Sequence, residues 1–96
     1  MVECRVKIVN RLGLHARAAA KLVRAAAGFR STLRLVRPDR GAAADAKSIL
    51  SVLMLAAARG TELVVVAEGP DEVPALEALR GLIGGGFGEE EEGEQA

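Results

Sequence analysis

His15 is the only histidine in the 96-residue chain. It follows Gly13 by two residues and stands directly before an alanine-rich run that reads as a helix, so it falls at the helix N-cap. An imidazole there lies beside backbone N–H groups that lack intrahelical partners and beside the positive end of the helix dipole, a ready anion site. The first-turn amides of Ala16, Arg17 and Ala18 are the donors expected at that site, and the Arg17 guanidinium can fork onto phosphate oxygens. The helix terminus and Arg17 both disfavour a second positive charge, so the neutral, nucleophilic ring is the expected form of His15. These types at this spacing suggest a nucleophile with a phosphate receiver built around it. The plain alternative is a histidine that merely caps its helix, with Arg17 an ordinary solvated arginine.

Other chemistries find less material. Cys4 is the only cysteine, which leaves no internal disulfide and no metal-ligand cluster and makes a reducing cytoplasm the simplest compartment. A hydrolase would need a second catalytic group near His15, and no neighbouring carboxylate or reactive cysteine context offers one. Residues 1–88 carry all 13 Lys and Arg against 8 Asp and Glu, a net charge of +5, and the remaining 5 glutamates lie in residues 89–96. A basic body favours acidic or phosphorylated partners. Nucleic acid is not expected, because no aromatic residues interleave the arginines to stack on bases. No apolar run is long enough for membrane insertion.

The elements that must position His15 follow from hydrophobic periodicity. Val2, Cys4, Val6 and Ile8 alternate with charged residues and predict a strand with one buried face. Asn10 to Leu14 is a loop, and a helix over 16–27 carries an apolar stripe of Ala19, Leu22, Val23 and Ala26, with Arg17, Lys21 and Arg24 on its other side. Strands are expected over 32–37 and 41–44, separated by a turn at Pro38-Asp39-Arg40-Gly41. Ser48 suits the N-cap of a second helix over 49–57, which is apolar nearly all round and so must expose part of its surface. Residues 60–67, with Leu63-Val64-Val65-Val66, predict a central strand. A last helix starts near Pro70-Asp71-Glu72, buries Val73, Ala75, Leu76, Leu79, Leu82 and Ile83, and ends at Gly84-Gly85-Gly86. One domain over 1–88 and a disordered acidic tail over 89–96 complete the expectation. The fold class is α+β: a four-stranded antiparallel sheet covered on one face by three helices, an open-faced β-sandwich in the order βαββαβα.

Gly13-Leu14-His15-Ala16-Arg17, with Asn10 upstream and Ala46-Lys47-Ser48-Ile49 downstream, resembles the HPr family, the histidine-containing phosphocarriers of the bacterial phosphoenolpyruvate-dependent phosphotransferase system. The likeness extends through Phe29, the 60–67 strand, Gly69-Pro70-Asp71-Glu72 and Gly86-Phe87-Gly88-Glu89. It implies the open-faced sandwich, phosphorylation of His15 at Nδ1 by Enzyme I, stabilisation of the phosphate by Arg17, and delivery to sugar-specific IIA domains. It implies a carrier that is a substrate of enzymes at each step, not an enzyme, and that needs no cofactor or metal of its own. A monomer is expected. Ala18 stands where the family usually has proline, which predicts slightly greater mobility near His15 and one additional backbone donor.

Ser48 carries two expectations. By position it is an N-cap, and by resemblance it matches the site at which a dedicated serine kinase or phosphorylase regulates the carrier in some bacteria. Ile49, Leu50 and Leu53 are the expected docking patch, rimmed by Arg17, Lys21 and Arg24. Two competing readings remain at this point: a regulatory phosphorelay of the nitrogen-related branch, and a small ligand-binding regulatory domain with a similar element order.

Overall fold

A computed structural model describes residues 1–89. Its elements are β1 (Val2–Lys7), α1 (Ala16–Ala27), β2 (Thr32–Arg37), β3 (Ala42–Asp45), α2 (Ile49–Met54), β4 (Glu62–Glu68) and α3 (Glu72–Gly84), with 3-10 turns at Pro38–Arg40 and Gly86–Gly88. The strands form one antiparallel sheet in the order β1-β4-β2-β3. This is the expected open-faced sandwich, and β4 is central as its valine run predicted.

One-sided burial organises the sheet. Cys4, Val65, Leu35 and Ala44 lie opposite one another across all four strands and form an inward row. Leu33, Leu63 and Ala67 join them in the core. The helices complete it with Ala18, Ala19, Leu22 and Ala26 from α1, Val52 from α2, and Ala75, Leu76, Leu79 and Ile83 from α3. With no Trp or Tyr, this core is filled by aliphatic side chains and by Phe87, which is fully buried. Each large side chain so buried contributes roughly 1.5–3 kcal/mol of transfer free energy.

Four local expectations are corrected. β3 runs over Ala42–Asp45, one residue later than expected, because Gly41 takes a left-handed φ of 60° to close the preceding 3-10 turn. Helix α2 ends at Met54 instead of reaching residue 57. The buried Arg37 side chain donates through Nη1 to the carbonyls of Leu55 at 2.8 Å and Ala56 at 3.0 Å, while Nε bonds Asp39 Oδ1 at 2.9 Å. A guanidinium thus satisfies carbonyls left over at the helix end and stabilises the negative end of the dipole, while Ala56 turns to φ 50°. Val73 is exposed, since it lies in the first turn of α3 off the line of Ala75, Leu76, Leu79 and Ile83. Finally, Glu89 does not begin a detached tail: it is bonded to His15 and Asn10, and residues 90–96 lie outside the described residues.

The loop before α1 is pressed onto the segment after α2. Leu14 N–H donates to the Ala57 carbonyl at 2.9 Å, and Gly13 takes a φ of 67° in the same approach. A Cβ on Gly13 would meet the Ala57 carbonyl oxygen at 2.6 Å. On the far side of the fold, Asp71 joins the start of α3 to the start of β2. Its carboxylate accepts the Ser31 hydroxyl at 2.5 Å, Ser31 N–H at 2.9 Å and Arg30 N–H at 2.9 Å, and Ser31 Oγ in turn accepts Asp71 N–H at 3.2 Å. The hydrogen bond from the Ser31 hydroxyl, helped by the backbone donors, holds Asp71 down to about 2, against an ordinary value of 3.8.

Two outcomes are expected. Gly13→Ala combines a backbone clash with a left-handed φ, and should lower the urea unfolding free energy by about 2 kcal/mol or more. For Asp71, the unfolded chain binds the proton more readily than the folded one, so its contribution is complete above pH 3.8 and is lost as pH falls through about 2. Asp71→Asn should therefore lower stability at neutral pH and flatten the acid limb of an unfolding-midpoint profile over that window. An unchanged acid limb would show that other carboxylates control it.

Candidate functional site

His15 is the residue just before α1, with φ −77° and ψ 176°, and its carbonyl accepts the first helical bond from Ala19 N–H at 2.8 Å. Its side chain makes no capping hydrogen bond. The imidazole is thus released from the capping role that was its simplest alternative, while the amides of the first helical turn remain beside it without intrahelical partners. The ring is half-buried, with 24% of its side-chain surface exposed.

Nε2 of His15 lies 2.5 Å from Glu89 Oε2. The other carboxylate oxygen, Oε1, accepts Asn10 Nδ2–H at 3.1 Å, and the same nitrogen donates to the Gly13 carbonyl at 2.8 Å. Asn10 is buried, so one amide ties the loop before the helix to the end of the described chain. Burial pushes Glu89 up, but hydrogen bonds from His15 and Asn10 and the charges of His15 and Lys21 outweigh it and hold the carboxyl below its ordinary range. The expectation that no carboxylate neighbours His15 is corrected: Glu89 lies against its Nε2 edge.

The other site residues expected from the sequence fall into two groups. Ala16 and Arg17 open α1 and are exposed, whereas Ala18 is fully buried and serves the core as well as the first turn. Among the described residues Arg17 makes no hydrogen bond or ion pair. Lys21 is half-buried and donates through Nζ to the Phe87 carbonyl at 2.7 Å, so it anchors the C-terminal turn as well as adding charge. Arg24 is exposed in the last turn of α1.

Ser48 caps α2 as expected, its Oγ accepting Ser51 N–H at 3.3 Å. Ile49 and Leu50 are exposed, Leu50 at 66%. Leu53 instead packs against the core, and its place on the exposed apolar surface is taken by Met54 at 76%. Leu12, in the loop before α1, is exposed as well at 62%. The sequence reading missed Glu89, Met54 and Leu12. The i,i+4 spacing of Leu50 and Met54 was the available signal for one of them; for Glu89 the only signal was its place in the Gly86-Phe87-Gly88-Glu89 likeness, since as a residue it reads as the first of a run of glutamates.

Among the described residues no group of His, Cys, Asp and Glu could hold a metal ion, and no helix is long and apolar enough to cross a membrane. The site is therefore a half-buried imidazole, held at one edge by a carboxylate, at a positively polarised helix start whose first turn carries the exposed Arg17. Such a site suits acceptance and release of one anionic group.

Comparison with known proteins agrees with this geometry. A family model described as the PTS HPr component phosphorylation site matches residues 2–84. The chain is 46% identical over 91 residues to the phosphocarrier protein HPr of Cupriavidus necator, covering 95% of this chain and 100% of that protein. It is 43% identical over 89 residues to the phosphocarrier protein NPr of Escherichia coli strain K12, covering 93% and 98%. Among solved structures, HPr-C-His from Thermoanaerobacter tengcongensis superposes with a TM-score of 0.88 at 39% identity, covering 94% of this chain and 99% of that one. With sequence and fold in agreement over nearly the whole described length, the chain belongs to the HPr family of phosphotransferase-system phosphocarriers.

Proposed function

We propose that this phosphocarrier takes a phosphoryl group from phospho-Enzyme I onto His15 and passes it to IIA domains of sugar phosphotransferase permeases, acting as a monomer and as a substrate of those enzymes. The observation that carries the reading is the uncapped imidazole of His15 at the start of α1, beside first-turn amides, with the exposed Arg17 in that same turn. A phosphoryl group in flight spreads negative charge over its peripheral oxygens. Backbone donors of Ala16, Arg17 and Ala18 and the Arg17 fork meet that charge equally during arrival and departure, as a carrier requires.

Docking falls to the exposed apolar side chains of α2 and the loop before α1. Ile49, Leu50, Met54 and Leu12 supply contact area, and Arg17 and Arg24 supply a basic rim for acidic partners. Half-burial of Leu53 limits its part in docking. A few exposed apolar side chains with a basic rim suit the weak, rapidly released encounters of a shuttle. Ser48 is proposed as a regulatory phosphorylation site, because a phosphate there adds about two negative charges beside Ile49 and Leu50 and repels acidic partners.

A second reading is favoured by one observation. Identity to a phosphocarrier NPr, at 43%, is close to the 46% shared with a phosphocarrier HPr, so a relay whose phosphate controls proteins instead of feeding sugar uptake is the competing assignment.

Intact mass after incubation with Enzyme I, magnesium and phosphoenolpyruvate should show one acid-labile phosphate, absent from His15→Ala. A phosphate that persists in His15→Ala would overturn the assignment. Arg17→Ala should leave stability unchanged and slow transfer on the order of a hundredfold. Ser48→Asp keeps a good N-cap residue and so should retain the unfolding midpoint, yet slow transfer from Enzyme I; Ser48→Ala should instead cost about 1 kcal/mol of stability with transfer preserved.

A further inference from the structure

We propose that Glu89 is a positioning residue for the phosphoacceptor: its carboxylate holds the proton on His15 Nε2, so that the lone pair of Nδ1 is the one presented to the incoming phosphoryl group. This role rests on the carrier reading of His15 and adds a residue that lies 74 positions further along the chain.

The placement of Glu89 is built from several ties. Phe87 is 1% exposed and adopts a left-handed φ of 59°, which turns the chain back toward α1. Lys21 Nζ holds the Phe87 carbonyl at 2.7 Å, and Glu89 N–H donates to the Gly86 carbonyl at 3.0 Å. From this turn the carboxylate bridges His15 Nε2 at 2.5 Å and Asn10 Nδ2 at 3.1 Å, with 17% of its side-chain surface exposed. Asn10 also holds the Gly13 carbonyl, so the residue that sets the carboxylate also sets the loop leading to the histidine. A neutral imidazole carries one proton. With that proton donated to Glu89 Oε2, the free lone pair lies on Nδ1.

The transfer step balances with Nε2 protonated throughout. The Nδ1 lone pair forms the N–P bond as the bond from phosphorus to its donor breaks, the electron pair of that bond staying with the donor. The positive charge that develops on the ring lies against the Glu89 carboxylate. In the onward step the N–P bond breaks, its electron pair returns to Nδ1, and the ring leaves as a neutral imidazole with the same Nε2 proton. A carboxylate holding the far edge of the ring is the logic by which an acid orients a catalytic imidazole in other nucleophilic sites.

Two readouts test the role in the full chain. In the unphosphorylated protein, the Nε2 proton should give a resonance protected from exchange with water, and Glu89→Ala should lose it. In steady-state transfer from phospho-Enzyme I, Glu89→Ala should lower kcat on the order of tenfold, as expected for loss of one charge-assisted hydrogen bond, with KM unchanged. Glu89→Gln, nearly the same shape and still an acceptor, should fall between wild type and Glu89→Ala, and it guards against a folding defect. A loss confined to KM would make Glu89 a docking residue and overturn the proposal, as would wild-type kcat together with an unaltered proton resonance. Absence of phosphate on the wild-type chain would remove the carrier reading and this role with it, whereas phosphorylation of wild type with normal Glu89→Ala kinetics would remove this role alone.

Discussion

The site depends on one close approach. Gly13 passes so near the Ala57 carbonyl that no side chain fits, and Leu14 N–H is bonded to that same oxygen. What holds Ala57 in place lies behind it: Arg37, buried at the end of β2, binds the carbonyls of Leu55 and Ala56 and stops α2 there. His15 is thus set at the start of α1 by a chain of contacts that begins in the sheet. Removing any link would loosen the imidazole without touching it, and a misplacement of about 1 Å can cost a hundredfold in a reaction that relies on orientation.

Around this fixed point the charges divide the ring into two edges. Backbone donors and Arg17 lie at the helix start, while Glu89 takes the Nε2 edge and is itself held by Asn10. The half-buried carboxylate has Asn10 and the imidazole as partners, and a phosphate arriving at the helix start would meet backbone donors and Arg17. The exposed apolar surface of α2 adjoins this arrangement because α1 packs on α2, and Ser48 caps the helix that carries it. The proposed nucleophile, docking surface and regulatory serine would therefore share one structural unit.

Much of the fold was legible in the sequence because it rests on local periodicity. Alternation in Val2 to Ile8 and Thr32 to Arg37, the valine run of β4 and the apolar stripe of α1 all express one-sided burial, and the sheet order that buries them together is the one found. The placing of His15 at a helix start was legible for the same reason. What could not be read were contacts between distant residues. Nothing in Arg37 announces that it will reach past 18 residues to cap α2 and shorten it. Glu89 reads as the first of a run of acids, a composition associated with solvated tails, until Phe87 is seen to bury itself and turn the chain back. Leu53 and Met54 are adjacent in a helix that is apolar nearly all round, where composition cannot say which of the two faces water.

The most direct test of the whole account is a long-range proton–nitrogen spectrum of the phosphorylated, nitrogen-15-labelled chain, read for the position of phosphorus on the single histidine. The account predicts phosphorus coupled to Nδ1 of His15, with Nε2 still protonated. Phosphorus on Nε2, or on a residue other than His15, would contradict it, because that edge of the ring is already held by Glu89.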